Sequence, residues 1–209
     1  GKGKGNGDGD CKKITIAAFQ SGSVIITGAR EILHIEKAQA FINRVFRAIK
    51  IDMDLYEEVE KDKSATIQAG IVVVLSSLAA GVGALQLGAS NFLLAPVLSL
   101  LSWYVWAYVI YFVGVKLFGG IKTKSNHGEL LRTIGFSSAP GLIRVFGITP
   151  ELMTVTFIGS AFWMLACMVV AVKAALDYDS LWKAFGVVVV SWLFQAFFLL
   201  LVIVLFKGI

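Results

Sequence analysis

Residues 64–115 contain no Asp, Glu, Lys or Arg, an uncharged run of 52 residues in a chain of 209. A soluble helix needs a polar face, and one membrane crossing takes about 20 apolar residues. The run is too long for one crossing and suits two with a turn between them. Leu87, Gly88, Ala89, Ser90 and Asn91 gather small and polar side chains inside it. Pro96 falls in the first turn of the second crossing, where a proline is tolerated. The expected spans are 65–87 and 93–115.

The rest of the chain extends this pattern. Hydrophobic residues make up 57% and charged residues 16%, against about 25% charged in a soluble domain. The fold class expected is a mainly α membrane protein, a five-helix transmembrane bundle preceded by a small α+β piece. Residues 133–147 form a short third span, with a re-entrant element as the alternative. They are broken by Gly135, Pro140 and Gly141 and contain Arg144. Residues 152–172 and 184–206 are uncharged and supply spans four and five. With the N-terminus in the cytoplasm, the inner segments carry Lys61, Lys63, Lys116, Lys122, Lys124, Arg132, Lys173 and Lys183. The outer ones carry only Lys207 and Arg144. That asymmetry places the C-terminus outside or in a lumen. It also accounts for the net charge of +5 better than nucleic-acid binding does.

Ahead of the spans, residues 1–11 are a glycine-rich flexible arm without the spacing of a phosphate loop. No signal-peptide pattern opens the sequence, which begins at Gly1 rather than a methionine. Residues 12–30 read as a β-hairpin around Gln20, Ser21, Gly22 and Ser23. A helix over 31–50 carries Ile35, Ala38, Ile42, Val45, Phe46 and Ile49 on one face. Residues 51–63 are a charged junction, solvated or lying on the membrane with Met53, Leu55, Tyr56 and Val59 towards lipid. The domain division expected is 1–11, 12–50, 51–63 and 64–209.

No catalytic constellation, cofactor motif or metal-ligand spacing is visible. His34 and His127 stand without a cysteine or carboxylate cluster, and Cys11 and Cys167 make no disulfide framework. Arg144 is the ionisable residue placed at membrane depth, a functional candidate against the plainer reading of snorkelling. Ser137 and Ser138 can bond carbonyls that Pro140 frees. Asp177 and Asp179 belong to a solvated loop. Ala79-x-x-x-Gly83 and Ala80-x-x-x-Ala84 allow close helix approach, within one chain or between copies in a homo-oligomer.

Two stretches resemble known families. CKKITIAAFQSGSVIITGAR with its following helix is similar to two strands and a helix of one TATA-binding-protein repeat, in the glycine-arm form of large DNA viruses. That resemblance implies minor-groove contacts at Phe19, Ile25 and Thr27. The rest of the saddle is missing, so nucleic acid is not an expected partner. From about residue 54 to 205, LYEEVEKDKSATIQAG, LLAPVLSLLSWYVWAY and ELLRTIGFSSAPGLIRVFGITP resemble, in that order, the prokaryotic branch of the Yip-domain family, named for Ypt-interacting proteins. The resemblance implies five spans, a cytoplasmic N-terminus and an acidic tyrosine motif at Tyr56, Glu57 and Glu58. It also carries the Ser137, Ser138, Pro140 break. Eukaryotic members act in vesicle traffic and bind small GTPases of the Rab/Ypt class. The two resemblances meet near residues 50–54, a join that reads as a chimera.

The function expected is therefore a non-enzymatic multi-pass membrane protein acting through helix packing and cytoplasmic protein contacts. Its partners would be the bilayer, other membrane proteins and small GTPases. The alternatives are a small-solute or ion permease using Arg144 and the broken span, and a membrane-tethered DNA-binding module.

Overall fold

The computed structural model describes residues 15–18, 24–27, 32–85, 94–120, 123 and 125–207. The expected arm over 1–11, Phe19, the turn over 87–91, and Lys122 and Lys124 lie outside the described residues. The chain divides into two compact units, 1–44 and 45–209.

In the first unit, strands β1 (Thr15–Ala18) and β2 (Val24–Thr27) pair antiparallel. Their register sets Ile16 opposite Ile26 and Ala17 opposite Ile25. Helix α1 (Ile32–Ile49) begins in this unit and ends in the second.

The second unit opens with the last turn of α1. Phe46, expected on the apolar face, is 47% exposed, whereas Ala48 is fully buried. The packing face is therefore rotated towards Ala48. The helix ends in a six-residue closure: Asp52 N–H donates to Arg47 O (3.1 Å) and Ile51 N–H to Ala48 O (3.0 Å). This closure needs a left-handed residue, a place that glycine usually fills. Here Ile51 takes it at φ 59°, a strained choice for a β-branched side chain. Asp52 then caps α2 (Met53–Lys61) by accepting from Asp54 N–H.

Five further helices follow: α3 (Ala65–Gly83), α4 (Leu94–Tyr111), α5 (His127–Ser137), α6 (Pro150–Ala175) and α7 (Leu181–Lys207). A π-helical segment (Phe112–Leu117) extends α4, and a 3-10 helix (Ala139–Phe146) follows α5. Among the described residues, three helical stretches are long and apolar enough to cross a membrane: Ala65–Gly83, Leu94–Leu117 and Pro150–Ala175. The whole is a mainly α membrane protein.

The centre of this unit is not the uncharged 64–115 pair but the short helix α5. Every residue from Leu130 to Ser137 is buried, because α2, α3, α4 and α6 all pack on it. It also starts earlier than the third span expected over 133–147. Asn126 caps α5 reciprocally with Glu129, so the helix begins at His127 and carries Arg132 inward. At the junction of α4, α5, α6 and α7 lies a core that includes Ile110, Leu130, Ile134, Val172, Leu176 and Val187.

Three glycines fix how the broken segment runs. A methyl group on Gly135 would lie 2.6 Å from the Cβ of Ala69. One on Gly141 would overlap the Ser76 hydroxyl, and one on Gly83 the Arg144 carbonyl. Numbers rise together along both segments, so α5 and the 3-10 helix lie beside α3 and parallel to it. Ala69 to Gly83 spans about 21 Å of helix axis, most of a hydrocarbon core of about 30 Å. On the other side α6 runs back, with Ser160 at Arg144 and Met164 at Gly141. The helices that flank the 3-10 helix are α6, which is the expected fourth span, and α3, whose small residues permit the close approach.

Candidate functional site

The break itself is a change of helix type. Pro140 removes one donor and crowds the carbonyl four residues back, so α5 stops at Ser137 and the chain tightens into i to i+3 bonds. Gly141 N–H donates to Ser138 O (2.9 Å), and Gly147 N–H to Arg144 O (3.0 Å). Ser137 Oγ donates to Ile134 O (2.7 Å) and Ser138 Oγ to Gly135 O. These are not the carbonyl that proline orphans. That one is on Phe136, whereas the Ser138 N–H donates to Gly135 O (3.3 Å).

Arg144 lies at the level of Gly83, the last residue of α3. Its Nε donates to Ser160 Oγ (2.7 Å), and its guanidinium carbon stands 5.3 Å from the Phe157 ring centre. The side chain lines an apolar cavity of about 450 Å³ between α6, α7 and Trp106. A neighbouring cavity of about 550 Å³ shares Trp106, Met168 and Trp192 and is lined by Ser99, Ser102, Ser138 and Gln195.

A second cluster gathers at the other end. Tyr56 is fully buried, and its hydroxyl donates to Ala48 O (3.5 Å), the same carbonyl that takes the Cys167 thiol. Burial pushes the Tyr56 phenol well above its usual range. Leu55, Tyr56 and Val59 are thus buried in protein, which corrects the lipid-facing reading. Glu57 is exposed, and Glu58 pairs with Arg47 (2.5 Å), which also holds Asp52 (2.6 Å). The bond to Arg47 pulls the Asp52 carboxyl below its usual value. Glu57 lines a cavity of about 410 Å³ with Met53, Lys173, Asp177, Tyr178 and Asp179.

Arg132 and Glu60 join these parts. Arg132 Nε donates to Val59 O (2.9 Å) and Glu60 O (3.1 Å), and its Nη2 donates to Glu60 O as well. A buried guanidinium therefore closes the last carbonyls of α2, which lack helical partners. The Glu60 carboxyl is pushed up to about 7, first by burial and then by the charges of Asp177 and Glu129. Tyr178 donates to Gly114 O (2.7 Å), a carbonyl inside the π-helical segment.

Arg132, Glu60, Ser160 and Tyr178 were not among the expected site residues. A lone arginine before an apolar run looks like any inner-loop cation. Of the proposed DNA contacts, Ile25 and Thr27 lie on β2, and Phe19 lies outside the described residues. Among the described residues, no three His, Cys, Asp or Glu side chains come together to hold a metal ion.

No curated protein and no solved structure matches the chain. A family model described as the Yip1 domain matches residues 54–203. The match begins inside α2, beyond strands β1 and β2, and covers α3 to α6 and most of α7. With nearly three quarters of its length matched in the order acidic tyrosine motif, α3, α4, broken segment, α6 and α7, the chain belongs to the Yip1 domain family.

Proposed function

We propose that this chain is a non-enzymatic, five-span membrane protein of the Yip type that acts through helix packing and cytoplasmic protein contacts. Its N-terminus would be cytoplasmic and its C-terminus outside or lumenal. The observation that carries this reading is the parallel course of α3 and residues 127–146, which supports a crossing over a loop that returns. In that topology α2 and the turn between α6 and α7 are cytoplasmic. They offer Glu57, Asp177 and Asp179 as an exposed acidic rim. Yip-family proteins associate with small GTPases of the Ypt/Rab class, and an acidic rim suits a partner with a basic face. The test is binding of a purified Rab/Ypt-class GTPase to the full chain in nanodiscs. Binding that weakens in Glu57→Lys with Asp179→Lys is expected. No binding in any nucleotide state overturns the GTPase role.

A second reading, a small-solute permease, rests on the cavity whose mainly apolar wall carries the polar groups of Ser99, Ser102, Ser138 and Gln195. Solute flux in proteoliposomes that disappears in Gln195→Leu would favour it over the first.

A further inference from the structure

Arg144 is a half-buried cation facing an apolar cavity, and among the described residues no acid pairs with it. Its Nε is occupied by Ser160 and its face by Phe157. Among the described residues, neither Nη has a hydrogen-bond or ion-pair partner. Beyond residue 63 the chain holds only four acids, Glu129, Glu151, Asp177 and Asp179. Glu129 stands at the start of α5, and Asp177 and Asp179 follow the end of α6. All three are at the opposite end from Arg144. Glu151 is exposed in the first turn of α6, about 13 Å along the helix from Ser160. The connection over 86–93, which comes after the Gly83 end of α3, contains no acid.

An ammonium or guanidinium in an apolar setting needs an anion or water to be stable there. The cavity next to this cation is apolar. Ala161, Leu165 and Met168 step along α6 away from Arg144 for about 10 Å. Phe185, Val189 and Trp192 of α7 form the facing wall and are exposed, so the cavity opens sideways. At about 450 Å³ it is of the size and lining of a ligand pocket, with one charged group fixing orientation. Met164 and Met168 can adjust to a flexible occupant.

We propose that this groove holds an anionic phospholipid, its phosphate on the two Nη groups of Arg144 and one acyl chain between α6 and α7. A guanidinium grips a phosphate through paired N–H donors. Arg144 lies at the end of α3, the depth at which a headgroup sits above its chains. The proposal goes beyond the Yip-type reading and would survive its failure, because it needs only the groove and the bilayer.

The test uses the full chain in detergent, titrated with phosphatidylglycerol or phosphatidylcholine of the same chain length and read by native mass spectrometry. Expected is one phosphatidylglycerol retained per chain in preference to phosphatidylcholine. In Arg144→Gln, which can still donate to Ser160, phosphatidylglycerol affinity should fall about tenfold. Ala161→Phe fills the groove at an exposed position while keeping Arg144 itself, and both lipids should be lost. Equal retention of the two lipids overturns the proposal. So does unchanged affinity in either variant, provided its thermal midpoint matches the parent. Displacement of the lipid by millimolar inorganic phosphate would show a simple anion site and overturn the lipid assignment.

Discussion

Replacing Arg132 by Met leaves the buried carbonyls of Val59 and Glu60 without a side-chain donor. The cost should be about 2 kcal/mol in unfolding experiments in detergent, and Arg132→Lys, a single point donor, should recover only part of it. Glu60 makes stability depend on pH. Its folded value of about 7 lies above the ordinary 4.5, so between those values the folded protein binds the proton more tightly than the unfolded chain. The resulting stability is fully present below about 4.5 and is lost as pH rises towards 7. The charges that face this carboxyl are Asp177, Glu129, Lys61 and Glu57. The thermal midpoint should therefore fall from pH 5 to pH 7.5, and Glu60→Gln should remove that slope. Asp177→Gly should shrink it, since Asp177 is the strongest repelling charge. An unchanged slope in Glu60→Gln would assign the effect elsewhere. Neither residue announces itself in the sequence. Glu60 sits in a run of charges that reads as a solvated face, and burial follows only once α5 packs on α2.

At the scale of elements, the glycines of the packed pair separate from those that merely lie in helices. Gly83→Ala pushes a methyl group into the Arg144 carbonyl, and Gly141→Ala into the Ser76 hydroxyl. Overpacking of this kind costs about 1–3 kcal/mol. Gly83 should show the larger loss, because a backbone carbonyl cannot rotate away. Gly159 lies within α6 with nothing within 4 Å of an added Cβ. Gly159→Ala should raise stability by roughly 0.5–1 kcal/mol. Denaturation of the three variants in one detergent ranks them, and a neutral Gly83→Ala would contradict the close approach. Pro140→Ala should be tolerated, and the double change Ser137→Ala, Ser138→Ala should cost no more than about 1 kcal/mol, since those hydroxyls serve helical carbonyls one turn back. The small-residue spacing of α3 was legible as a packing surface. Its partner was not, because spacing on one helix says nothing about which helix approaches.

For the whole molecule, the apolar runs were legible because lipid demands them, and α3, α4, α6 and α7 start within a few residues of the expected spans. The central role of α5 was hidden. An 11-residue helix holding Arg132 and Glu129 looks like a loop end, and only contacts from α2, α3, α4 and α6 bury it. The order of chain segments makes one global claim, that residues 127–146 cross beside α3 and in the same direction. A reporter active only in the cytoplasm measures this directly when fused at the N-terminus, within 122–125, or after Ile209. Activity at the first two places and none after Ile209 is the expected result. Activity after Ile209 together with activity at the N-terminus would give an even number of crossings and contradict the five-span topology.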